Sequence, residues 1–400
     1  MDRRPRHSGL VALGAAVALV VGACSGGGSA TSSPSSAAAT SAPSSAAATS
    51  APSSAAGASS DFVTQVAAAV ASASGKQTVW TGPTTGPKAS RGKHIVYLSG
   101  QETNSLSHAY GTYLQDAASK IGWTVTVIDG KGTPTGWLDG MNQAIALKPD
   151  GIVIFADAVS LKDAIATATA QHIPVVGLHA AGEPGPSAGL FTNIQESPQA
   201  IGKAEADFAI ADSNGTGRVI IIYHGEYAIA QVKAQAMKDE LAKCTTCKLL
   251  EYTDFPAAES AQRTPQLVTT WVSKYGPPFY ALSVGDNDWD FAVPSLTAGG
   301  VKPSDVRLVA SDGTPGSYAR IRQGDQYQVA TVPEPTELQG YQAIDELNRA
   351  MNGQPPSGYV APVFIVTKDN IGIEGGPQNQ FIPSNGYKDQ YLKIWGVTGG

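Results

Sequence analysis

The chain has 400 residues, 42% of them hydrophobic and 15% charged, with a net charge of −6. A prior of roughly 100–200 residues per domain suggests two or three domains, but residues 25–60 are drawn only from Ser, Ala, Gly, Pro and Thr, and no core can be built there. An acidic chain with no Lys/Arg run offers no counterion-releasing surface, which argues against nucleic acid as a partner.

The N-terminus runs from basic to apolar to small: Arg3, Arg4 and Arg6, then Leu10 to Val21, then Val21-Gly-Ala-Cys24. An apolar run of about 12 residues is too short to span a bilayer and fits a secretory signal. Val21 to Cys24 resembles the lipobox of bacterial lipoproteins, with Val where Leu is commonest, and implies cleavage before Cys24 and lipid attachment to it. Removing residues 1–23 leaves 24 basic and 32 acidic side chains. Lipidation of Cys24 also accounts for the odd cysteine count, because it leaves Cys244 and Cys247 as a pair. Three nonamers follow, starting at Ala30, Ala39 and Ala48, with no large apolar residue for stacking to bury. Residues 24–60 therefore read as a flexible tether, similar to lipoprotein linkers of high-GC Gram-positive bacteria.

Residues 61–91 form a leader: a helix over Asp61 to Ala73, then Trp80 to Pro87, whose two Gly-Pro steps exclude regular structure. Beyond it strands and helices alternate. Strands are expected at 94–98, 124–128, 151–155 and 174–178, and helices at 105–121, 137–146 and 161–171. A second series follows, with helices at 198–213, 228–242, 258–274, 291–298, 317–323 and 336–352. Its strands are 218–223, 248–253, 278–284, 307–311, 328–332 and 363–366. The pattern predicts an α/β protein of two doubly wound parallel-sheet lobes with a cleft at the strand carboxyl ends.

The order of these units, with Val309-Ala-Ser-Asp-Gly-Thr-Pro315, Val329-Ala-Thr-Val-Pro-Glu-Pro335 and Gly340 to Gly353, resembles the ribose-type family of periplasmic sugar-binding proteins over about residues 92–370. The leader resembles that of actinobacterial members. The resemblance implies a receptor that captures a sugar or polyol by hinge closure and delivers it to the permease and ATPase of an ABC importer. It further implies a monomer without cofactor, a first lobe of 92–195 plus 335–362, and a second of 196–334 plus 363–400. Three crossings near Asn193, Glu334 and Ala361 would form the hinge. The alternative is a ligand-sensing lipoprotein that reports to a membrane receptor or kinase.

Polar groups just after strand ends are the candidate ligand contacts, since one left unpaired on closure costs about 1–3 kcal/mol. In the first lobe these are Gln101, Glu102 and Asn104, then Asp157 and His179. In the second they are Tyr227 and Gln231, the latter roughly where the family has an Arg that clamps hydroxyls, so that a neutral amide replaces a charged donor, then Asp286, Asn287, Trp289 as stacking face, and Asp312. Glu334 stands where the family has a hinge Gln. Each also has a plain structural reading, as helix cap, solvated loop or core plug. Carboxylates in such a cleft suit a neutral polyhydroxylated ligand or an amine and disfavour a sugar acid or phosphate. Enzyme signatures are lacking: there is no Ser/His/Asp spacing at a nucleophile elbow and no phosphate-cradling Gly-rich loop. The six His show no metal-ligand spacing. Cys244-Thr-Thr-Cys247 lies between a helix and a strand and reads as a small structural disulfide.

Overall fold

The computed structural model describes residues 53–397; the signal segment, Cys24 and the tether as far as residue 52 lie outside them. The first lobe holds the sheet β1 (His94–Ser99), β2 (Thr124–Asp129), β3 (Gly151–Ile154), β4 (Val175–Leu178) and β5 (Thr192–Ile194). Its order is β2-β1-β3-β4-β5, parallel throughout. Alternate residues of β1 feed two cores. Ile95 and Tyr97 pack with α2 (Ser105–Lys120), whereas Val96 and Leu98 pack with α3 (Pro134–Ala146) and α4 (Lys162–Ala170). Burial on both faces is why these strands read as continuous apolar runs.

The second lobe repeats the plan with α5 (Pro198–Asp212), β6 (Arg218–Tyr223), α6 (Ala228–Lys243), β7 (Lys248–Asp254), α7 (Ser260–Tyr275), β8 (Phe279–Ser283), α8 (Asn287–Ala298), β9 (Val306–Asp312), α9 (Pro315–Gln323) and β10 (Gln328–Pro333). The chain then returns to the first lobe as α10 (Thr336–Met351), whose Leu338, Tyr341 and Ile344 join Tyr97 and Tyr110. It crosses back as β11 (Val366–Thr367), antiparallel to β10 at the edge of a sheet ordered β11-β10-β9-β8-β6-β7. The expected strand at 363–366 is thus two residues long and shifted towards the C-terminus.

Three departures from the expected organisation concern the ends of the chain. A helix, α1 (Ser53–Ala73), begins inside the third nonamer rather than at Asp61. Alanine is the strongest helix former, and Val66 seats the helix on the second-lobe core with Ile201 and Phe208. The stretch around Trp80 packs instead on the first lobe, against Tyr359 and Tyr391. Finally, α11 (Tyr387–Trp395) belongs to the first-lobe core through Tyr387, Tyr391, Ile394 and Trp395, although 363–400 was expected wholly in the second. Five segments therefore run between the lobes, at about residues 74–79, 195–197, 334–335, 360–362 and 382–386, where three were expected. Cys244 and Cys247 are joined by a disulfide at the end of α6. No described helix is long and apolar enough to cross a membrane.

Candidate functional site

Parallel strands end at the same edge of a sheet, so the loops after β1, β3 and β4 meet those after β6, β8 and β9. Between them lies a cavity of about 440 Å³. Two grooves of about 750 Å³ are larger, but each is walled by a single lobe. The cleft draws on both lobes, and at its mouth the Trp137 and Tyr227 rings meet at 5.7 Å. A volume of this size suits a small ligand.

Six of the expected residues line the cavity: Gln101, Asn104, His179, Tyr227, Asn287 and Asp312. Asn104 is also the cap of α2, its Oδ1 accepting from the Ser107 N–H at 3.0 Å. Asp312 takes φ 98°, costly for a residue with a Cβ, and so turns its carboxylate out of β9 into the cleft. His179 likewise has φ 53°.

The other six lie elsewhere. Glu102 turns to His108 at 2.8 Å. Asp157 accepts from the Ser160 N–H at 2.7 Å and closes its own turn. Gln231 donates to the Gly225 carbonyl at 2.5 Å on an outer face. Trp289 is fully buried and its indole donates to the Val309 carbonyl at 3.0 Å, so it plugs the core and offers no stacking face. The reason is that α8 starts at Asn287, four residues before the expected Phe291, which carries Trp289 onto the inner side of the helix. Asp286 lies beneath the cleft, where its Oδ2 accepts from the Gly313 N–H at 2.8 Å, the Thr314 N–H at 3.1 Å and the Thr331 hydroxyl at 2.9 Å. Glu334 is sealed in the hinge, accepting from Gln339 Nε2 at 3.0 Å.

The lining residues that the sequence did not single out include Phe155, His224, Lys233, Asp288 and Phe291. Lys233, two residues beyond Gln231, is a buried cation. It faces the cleft because α6 buries Ala230, Lys233, Ala234, Met237 and Leu241 along one side, a stripe at helical spacing that marks it. Its Nζ donates to Ser311 Oγ at 3.1 Å and lies 3.5 Å from Asp312 Oδ1 and 3.9 Å from Glu334 Oε1. Burial alone would lower its pKa, but Asp312 and Glu334 outweigh that and raise it, so the amine stays charged. Burial pushes the carboxyls of Glu196 and Glu205, nearby in the hinge and α5, well above the ordinary range. In the same lobe, His224 Nδ1 lies 2.9 Å from the Phe255 carbonyl and Nε2 lies 3.1 Å from Asp288 Oδ2. Two acceptors around one ring require the imidazolium. Burial by itself lowers the pKa of His224, and Asp288 overcomes this to bring it up to about 9. At the rim Arg320 pairs with Asp290. Each carboxylate lining the cleft is thus paired with a cation, Lys233 being shared between Asp312 and the buried Glu334. Among the described residues no cluster of His, Cys, Asp and Glu suits a metal ion.

No curated protein matches the chain by sequence. Solved structures do match its fold. An ABC sugar transporter subunit from Rhodobacter sphaeroides shares 19% identity at a TM-score of 0.61, covering 70% of this chain and 99% of its own. The myo-inositol binding protein of Caulobacter, bound to myo-inositol, shares 19% at 0.62, covering 71% and 96%. An ABC transporter solute-binding protein from Agrobacterium vitis, bound to alpha-D-tagatopyranose, shares 15% at 0.64, covering 72% and 99%. The family model of the periplasmic binding protein domain matches residues 95–355, which hold most of both lobes and two of the five crossings between them. The chain belongs to the periplasmic binding protein domain family.

Proposed function

We propose that the chain is an extracytoplasmic solute-binding lipoprotein, anchored through Cys24, that captures a small uncharged sugar or polyol between its lobes and hands it to the permease and ATPase of an ABC importer. It binds and does not turn over its ligand. The observation that carries this reading is the charge pairing of the cleft: Asp312 with Lys233, Asp288 with His224, Asp290 with Arg320. A cleft whose charges are matched from within has no need of a charged ligand, and a sugar acid or an amine would bring an unmatched charge into it. What it offers instead is amide, carboxylate and imidazole groups for hydroxyls and the Phe155 and Tyr227 rings for C–H faces. Structural relatives are bound to allitol, D-allose and tagatose, so the fold accommodates such ligands. The test is a thermal-shift and calorimetry panel of D-allose, D-tagatose, allitol, myo-inositol and L-arabinose, with gluconate and glucosamine as charged controls. At least one neutral compound is expected to bind and the charged ones to fail. A panel in which only a charged compound binds, or none does, overturns the reading.

A further inference from the structure

Hydrogen-bond polarity can be transmitted along a chain of groups when one end has no choice. A carboxylate only accepts, a primary amide has one accepting and one donating end, a phenol has one proton, and a neutral imidazole carries its proton on one nitrogen or the other. The hinge lines up these four in order. Glu334 Oε2 accepts from Gln339 Nε2 at 3.0 Å, which turns the amide oxygen of Gln339 the other way. That oxygen accepts from the Tyr110 hydroxyl. With its proton committed, the Tyr110 oxygen can only accept, and the atom 2.8 Å from it is His179 Nε2. His179 Nε2 must therefore carry the hydrogen. All four side chains are buried: His179 is 9% exposed, and Glu334, Gln339 and Tyr110 are 1% or less. The ring is also fixed in space, 5.7 Å from both Tyr110 and Phe155.

The consequence is felt in the cleft, which His179 lines. Among the described residues His179 Nδ1 has no hydrogen-bond partner. The groups facing the ring are Tyr110 from α2, Gln339 from α10, Lys233 from α6, Asp312 at the end of β9 and Glu334 in the hinge, whose Oε2 lies 3.5 Å from His179 Nε2. Burial, the largest influence, lowers the pKa of His179 and outweighs the nearby carboxylates, keeping the ring neutral.

We propose that the Glu334, Gln339 and Tyr110 chain fixes His179 as the Nε2–H tautomer, so that Nδ1 is an obligatory acceptor in the first-lobe wall and the ligand must donate a hydroxyl hydrogen there. Tyr110 and Gln339 are positioning residues, and Glu334 sets the direction. This rests on the sugar or polyol reading, and it makes that reading more specific: an ether or keto oxygen in that place would leave two acceptors facing each other, a loss on the order of 10- to 100-fold in affinity.

The tautomer can be read without any ligand, by nitrogen-15 NMR of histidine-labelled protein at pH 7.5, with the His179 signals assigned by His179→Gln. The wild type is expected to show a protonated Nε2 and a bare Nδ1, and Tyr110→Phe and the near-isosteric Glu334→Gln are expected to show a tautomer mixture. An Nδ1–H ring or an imidazolium in the wild type overturns the proposal, as does an unchanged tautomer in both variants. If Tyr110→Phe fails to fold, the wild type and Glu334→Gln decide. The strongest binder of the D-allose, D-tagatose, allitol, myo-inositol and L-arabinose panel should shift the Nδ1 resonance; binding that leaves Nδ1 unmoved overturns the ligand half. A panel without binders sinks the sugar reading alone and leaves the tautomer result standing.

Discussion

Lys233 shows what a single buried charge does here. Breaking a buried ion pair from one side strands the other charge, at a cost of about 3–5 kcal/mol. Burial raises the carboxyl of Asp312 and Lys233 opposes that rise. In Lys233→Met the rise is unopposed, and a carboxyl raised above its unfolded value gives stability that is present in acid and lost as pH rises. The variant should therefore lose about 3 kcal/mol at pH 7.5 and little near pH 4, read by urea unfolding at both values. His224 makes the complementary case. Its pKa is about 9 in the fold against 6.5 unfolded, so its contribution is complete below pH 6.5 and lost as pH rises towards 9. That contribution is about 3 kcal/mol. Asp288→Asn should abolish this slope between pH 6.5 and 9; a slope that survives would show that another group produces it. Neither cation stood out in the sequence as a ligand contact. Gln231 and Lys233 are two positions apart on α6, which at about 100° per residue puts them on opposite sides of the helix. A position carried over from the family resemblance selects the wrong one, whereas the apolar stripe selects the right one.

Elements were legible where both faces of a strand are buried and obscure where packing partners come from far along the chain. β1 and β6 are unbroken apolar runs and were placed within a residue. β5, at three residues, is too short to show a period. α11 carries its apolar face as Tyr387, Tyr391, Ile394 and Trp395, and only the first-lobe core reveals what that face is for. The leader is a similar case. Trp80 packs on Tyr359 and Tyr391, Arg349 Nη2 donates to the Thr85 carbonyl at 2.5 Å, and Asn348 Nδ2 donates to the Pro87 carbonyl at 2.7 Å. A segment without regular structure is thereby bound into the first lobe as firmly as a helix. Trp80→Ala, which removes a half-buried ring, should cost about 2 kcal/mol. An unchanged denaturation midpoint would mean that the leader only rests on the surface.

At the scale of the molecule, the number of crossings governs how far the lobes can part. A hinge of few strands absorbs rotation in a handful of φ/ψ angles, and each added crossing that is held on both sides must deform as well. The leader crossing is held by α1 on one side and Trp80 on the other, with Gln77 Nε2 donating to the Val363 carbonyl at 3.1 Å between them. The C-terminal crossing is held by Phe381, stacked on Phe364 at 4.8 Å in the second lobe, and by Tyr387 in the first. Five such connections should restrict the opening to a small angle. The change in radius of gyration on ligand binding, read by small-angle scattering, should then be small in the native chain. Slack can be introduced without removing any packed group by inserting four Gly/Ser residues after the exposed Lys76. This insertion should widen the ligand-free state, enlarge the compaction on binding and weaken affinity, because closure then starts from a more populated open form. Identical scattering from the two proteins would show that the leader follows the hinge motion without limiting it.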